Sequence, residues 1–124
     1  MDNSILQYVG AAFTGLWGIA HLFPTKAVVD GFGAITPGNR RIITMEWIVE
    51  GTALIFIGTL VAAVTYVDPS NAVSMAVYVL SSICLIALAI ISLLTGFRVN
   101  FPPFRLCPFI FTLSALLILA GGLW

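Results

Sequence analysis

The sequence predicts an all-α integral membrane protein, an antiparallel bundle of four transmembrane helices, and three observations predict it. Of 124 residues, 60% are hydrophobic and 8% charged, and the mean hydropathy is +1.12, a balance far outside that of soluble domains. The apolar residues gather into four runs, at 5–23, 42–67, 72–97 and 104–123, each near the ~20 residues a helix needs to cross ~30 Å of hydrocarbon. None of the runs alternates as a strand would, and a single-chain membrane barrel needs about eight strands. One domain covering 1–124 is expected, without repeats or low-complexity tracts.

The first run follows Met1-Asp2-Asn3-Ser4, which has no basic n-region, so it reads as a membrane helix and not a signal peptide. Gly10, Thr14, Trp17, Gly18 and His21 recur along it at helical spacing and define a protein-facing stripe. Small residues there let backbones approach, and contact packing drives helix association in lipid. Gly51 and Gly58 repeat the device in the second run, and Ser74, Tyr78, Ser81 and Ser82 form a polar stripe in the third, suited to interhelical hydrogen bonds. Thr112 and Ser114 are the hydroxyls of the fourth.

Between runs, Asp68-Pro69 places a cap-type residue before a proline and is expected to start the third helix. Pro102-Pro103 resets the chain for the fourth. The connection from Pro24 to Arg41 is long and carries Val28, Val29, Phe32 and Ile35 among its glycines. It is either an interfacial lid or an ordinary anchored loop.

Five basic and five acidic residues cancel, so no basic field exists for nucleic acid. Cys84 and Cys107 lie in apolar runs without a CxxC pair and read as packing residues. Lys26, Arg40, Arg41, Arg98 and Arg105 all fall in the first and third connections. The positive-inside rule therefore makes that face cytoplasmic and places both termini outside, in what is expected to be a bacterial inner membrane.

Two carboxylates, Glu46 and Glu50, enter the second run. An ionisable group within a membrane segment costs roughly 2.5–3.5 kcal/mol or more unless paired, so its presence asks for a function. At i, i+4 the two side chains stack on one face, with Glu50 about 6 Å deeper. His21, the only histidine, ends the first run at similar depth and reaches them if the two helices are neighbours. Glu46, Glu50 and His21 are thus the candidate acid–base groups, with Trp47, Trp17, Arg40 and Arg41 as candidate ligand contacts. Each also has a plainer role. Glu46 can pair with Arg40 or Arg41 near its helix start, His21 can bond a backbone carbonyl, and the tryptophans can simply pack or sit at the interface. The di-iron pattern of Glu-x-x-His on two helices is absent, so no metal site is assigned, and no cofactor is identified.

With its Gly-containing first helix ending His-Leu-Phe-Pro and the run Ile43-Thr44-Met45-Glu46-Trp47-Ile48-Val49-Glu50-Gly51, the chain resembles the small DoxX-like four-helix bacterial membrane proteins. That resemblance implies a fold and assigns no chemistry. Sterol isomerases of the EXPERA type also combine intramembrane His and Glu residues, but no residue-by-residue match carries their roles here. Small multidrug exporters carry their glutamate in the first helix, unlike this chain.

Three functions fit. The first is a binding module that holds a lipid-like or quinone-like molecule in a cytoplasm-facing pocket lined by His21, Glu46, Trp47 and Glu50. The second is an acid–base enzyme, of isomerase or hydratase type, acting on a hydrophobic substrate. The third is an accessory subunit of a larger membrane complex. Expected partners are membrane lipid, a hydrophobic small molecule, and either further copies of the chain or the other subunits of such a complex.

Overall fold

The computed structural model describes residues 4–124; residues 1–3, the approach to the first run, lie outside the described residues. Every regular element among the described residues is helical: α1 (Ser4–Leu22), α2 (Thr25–Asp30), α3 (Pro37–Val67), α4 (Ala72–Leu94), a 3₁₀ turn (Gly96–Arg98) and α5 (Pro102–Leu123). Four helices, α1, α3, α4 with its 3₁₀ extension and α5, are long and apolar enough to cross a membrane.

Local chemistry moves several boundaries from their expected places. Helix α3 begins at Pro37 and not at residue 42, because Thr36 caps it by accepting from the Asn39 N–H at 3.2 Å and Pro37 occupies the first helical position. Arg40 and Arg41 consequently ride on α3 and not in a connection. The cap of α4 is Asn71, whose side chain accepts from the Val73 N–H at 2.8 Å. Asp68, expected in that role, instead closes α3, and its carboxylate takes the Ser70 N–H and hydroxyl. These bonds hold the Asp68 carboxyl below its ordinary range. Helix α4 stops at Leu94, short of residue 97, and tightens into the 3₁₀ turn. Helix α5 starts two residues early because Pro102 and Pro103 fit its first turn, and it accommodates a buried Pro108.

Helix α1 packs against both α3 and α5, α4 packs against α5, and α3 and α4 touch far less. The buried side of α1 is Gln7, Gly10, Ala11, Thr14, Gly18 and His21, and that of α3 is Gly51, Leu54, Gly58, Val61 and Thr65. Between them the backbones nearly touch. A Cβ on Gly18 would stand 2.7 Å from the Gly51 carbonyl oxygen, and one on Gly58 would stand 2.6 Å from that of Ala11. Leu54, Val61, Tyr78, Leu85, Phe111 and Ile118 are fully buried and fill the centre. The outer faces present Leu16, Phe56, Leu80 and Leu116, all more than half exposed, as hydrocarbon-facing surface suits.

Several hydroxyls on these helices are tied down internally. Thr14, Thr52, Thr59 and Thr65 each donate to the carbonyl four residues back at 2.7–2.9 Å. Thr65 also meets the Tyr78 hydroxyl at 2.9 Å, and Ser82 donates to the Ala115 carbonyl at 3.2 Å. The serine stripe expected on the third run is therefore an interhelical seam.

Gly58→Ala is expected to destabilise the protein by about 1–3 kcal/mol, since its methyl meets backbone that cannot swing away. Gly15→Ala, with nothing within 4 Å of the added carbon, should change stability by less than about 0.5 kcal/mol. Thermal melting of the two variants in one detergent checks the contrast.

Candidate functional site

Because α3 and α4 diverge, a cleft of about 1040 Å³ opens between them. Its walls are apolar along Ala53, Leu54, Ile57, Cys84 and Leu88, and α2 and the 95–104 segment close its sides with Val28, Phe32, Phe101 and Phe104. Glu46 and Glu50 face this space from α3, one turn apart. Volume and lining are those of a small-molecule site.

A polar contact joins α1 to α3 at the wall of the cleft. His21 Nε2 lies 3.4 Å from Glu50 Oε2, with the imidazole 6% and the carboxylate 39% exposed. This is within ion-pair reach, but hydrogen-bond alignment is missing, and Nε2 has no other partner. Trp47 fixes the histidine from two directions. Its indole N–H donates 2.7 Å to the His21 carbonyl, one of the acceptors that the end of α1 leaves without an intrahelical donor. Its ring stacks on the imidazole with centroids 3.9 Å apart and planes at 15°. Phe104 meets Trp47 edge-on at 5.5 Å, and Phe101 meets Phe104 at 5.2 Å. The aromatic row runs from the buried histidine to the wall of the cleft.

Not every expected residue belongs to this cleft. Glu46 is exposed and lines it. Arg40, a possible partner for Glu46, is committed to Asp30 at 2.7 Å, and Asp30 also holds Lys26 at 2.8 Å. Arg41 is exposed and, like Arg40, off the cleft wall. Trp17 packs against the core, with its indole toward the Cys107 thiol, and does not reach the cleft. The long first connection supplies one wall through α2, anchored by the buried Val29.

Reading the sequence missed the contributions of Phe101, Phe104, Thr95 and Asn100. The prolines beside Phe101 and Phe104 marked a boundary, and the aromatic residues flanking them were the available signal. It also missed Asp30, whose i, i+4 spacing from Lys26 was visible. Hydrogen bonds from Lys26 and then Arg40 hold the Asp30 carboxyl below its ordinary value. Among the described residues, no group of three His, Cys, Asp or Glu side chains is arranged to hold a metal ion.

A scan of protein-family models and searches of curated proteins and of solved structures find no match to this chain. Functional inference rests on the cleft itself. It offers two carboxylates, one within ion-pair reach of a buried imidazole, beside a long apolar surface.

Asp30 joins α2 to α3, so Asp30→Asn at neutral pH should speed amide exchange across 25–36 and leave 51–61 unchanged. Acid should reproduce this effect. A carboxyl held below its ordinary value stabilises the fold fully above that value, and its contribution is lost as pH falls through the depressed one. Hydrogen-exchange mass spectrometry after matched correction for intrinsic rates checks both.

Proposed function

We propose that this chain is an integral membrane protein of the DoxX-like architectural type, an antiparallel four-helix bundle that binds an apolar small molecule in the cleft between α3 and α4. The observation that carries this reading is Glu50, a carboxylate on the wall of an apolar cleft of about 1040 Å³, backed by His21 at 3.4 Å. Apolar lining with a few convergent polar groups is the usual form of a ligand site, and an intramembrane carboxylate is retained where it has work. A lipid-like or quinone-like molecule would lay its hydrocarbon along Ala53, Ile57 and Leu88 and present a polar end to Glu46 and Glu50. The cleft is lined by α2 and the 95–104 segment, at the end of the molecule where Lys26, Arg40, Arg41, Arg98 and Arg105 lie on α2, the start of α3, the 3₁₀ turn and the start of α5, the end that the positive-inside rule assigns to the cytoplasm.

A specific observation favours a second reading, acid–base catalysis. The buried Nε2 of His21 has no hydrogen-bond partner and faces a carboxylate at 3.4 Å, so a small closing movement around a bound substrate would bring the two groups into proton-transfer contact. In that reading Glu50 contacts the reacting molecule and His21 recharges it.

Native mass spectrometry of the chain released from lipid nanodiscs tests the binding reading. A stoichiometric apolar molecule is expected with the wild type, reduced about ten-fold or more in Glu50→Gln, a change equivalent to about 1.4 kcal/mol. Equal retention in both would overturn it, and co-release of larger unrelated chains would support an accessory subunit instead. For orientation, alkaline phosphatase fused after Trp124 should be active and a cytoplasm-dependent fluorescent protein fused there should be dark; the reverse pattern would invert the assignment.

A further inference from the structure

We propose that the occupant of the cleft is a single-chain amphiphile with a protonated amine head. This deepens the binding reading and rests on it. The charge on the walls selects the head. Glu46 and Glu50 both face the space, and none of the five Lys and Arg side chains lines it. Arg40, on α3 itself, and Lys26, on α2, are both engaged by Asp30. His21 stands behind Glu50, only 6% exposed, with Nε2 otherwise unpartnered. The walls therefore offer two carboxylates and no Lys or Arg. An ammonium satisfies such a pair with charge-assisted hydrogen bonds, whereas a phosphate or carboxylate head meets like charge with no Lys or Arg on the walls to offset it. That argument also disfavours ordinary phospholipids, whose phosphate would have to enter with any amine they carry.

The surroundings suit a cation as well as an apolar chain. Phe32, Trp47, Phe101 and Phe104 supply aromatic surface beside the carboxylates, and an ammonium is attracted to ring faces most strongly where water is scarce. Asn100 and Thr95 add neutral polar side chains among the lining residues. Past Glu50 the wall becomes Ala53, Leu54, Ile57, Cys84 and Leu88, with no charged group. From Glu46 to Ile57 is about 16 Å along α3, enough for the polar end and much of one extended hydrocarbon chain. Ala53, Leu54 and Ile57 on α3 and Cys84 and Leu88 on α4 form one apolar strip along which a single chain can lie.

Equilibrium binding of three labelled probes that share one chain, dodecylamine, dodecanol and dodecanoate, tests the assignment, with the full chain in phosphatidylcholine nanodiscs and empty nanodiscs as the blank. Dodecylamine is expected to bind stoichiometrically at neutral pH and about ten-fold or more tighter than dodecanol, with dodecanoate at the blank. Glu50→Gln and Glu46→Gln should each erode the amine preference; Glu46 is exposed, so its variant carries the test if the other fails to fold. Ile57→Trp, which fills the tail end, should abolish binding of both dodecylamine and dodecanol. Dodecanol binding as tightly as dodecylamine, or an amine preference surviving in both glutamine variants, overturns the cationic head and leaves the apolar site standing. No probe above the blank in any variant overturns the site together with the head.

Discussion

The close approach of α1 to α3 is the constraint on which the rest of the structure depends. Without side chains at Gly18, Gly51 and Gly58 the two backbones come within van der Waals reach, and a single added carbon would stand 2.6–2.7 Å from a facing backbone or side-chain atom. In lipid no exclusion of water pulls helices together, so this contact surface is itself the attraction. It also sets the register. With Gly18 against Gly51, His21 one turn along α1 comes to Glu50, and the Trp47 indole falls on the His21 carbonyl. Weakening the approach would separate the only histidine from the carboxylate it faces.

The same contact explains the cleft. Helix α1 holds α3 on one side and α5 on the other, while α4 is held mainly by α5 through Tyr78, Ser82, Ala115 and their neighbours. Neither arrangement draws α3 onto α4. At the end marked by Thr65, Tyr78 and Ser74 the two helices are joined by hydrogen bonds and a short turn. Away from that turn they are free to diverge, and Phe104, Phe101 and α2 occupy the edges of the space without filling it. A cleft so placed is stiff at its closed end and bordered by short, lightly tied elements at its open end, and Asp30 is the principal polar tie between α2 and α3.

Much of this was legible in the sequence, for reasons that differ by feature. The four long helices follow from run length and hydropathy. The buried stripes follow from periodicity, because in lipid the small and hydroxyl residues mark the protein side, and Gly18, Gly51, Ser82 and Tyr78 are all on it. That His21 reaches the carboxylate pair followed from its depth, close to that of Glu46, on two helices joined by one connection; that its contact is with the deeper Glu50 did not. The partner of Arg40 was not legible, since Thr36-Pro37 starts α3 early and turns the arginine toward Asp30. Nor was the contribution of the 95–104 segment. Which side of a bundle a turn folds over depends on helix order, and Phe104 on α5 and Trp47 on α3 both had to be placed before their contact could be seen.

The carboxylates stand apart from the other polar groups in the spanning helices. The threonines return their hydroxyl protons to their own helix, and Ser74, Ser82 and Tyr78 find partners across helix contacts. Those groups are neutral, and one hydrogen bond meets most of their demand. The Gln7 side-chain carbonyl, the Trp17 indole N–H and the Ser114 hydroxyl lack a hydrogen-bond partner in the core, but each is neutral and none borders the cleft. Glu50 differs on both counts. It brings up to a full charge, one misaligned imidazole contact offsets little of that charge, and its exposed portion points at an apolar space. The carboxylate thus stands with one side against a buried imidazole and the other on the wall of an apolar cleft of about 1040 Å³, a position that none of the neutral polar groups of the spanning helices shares.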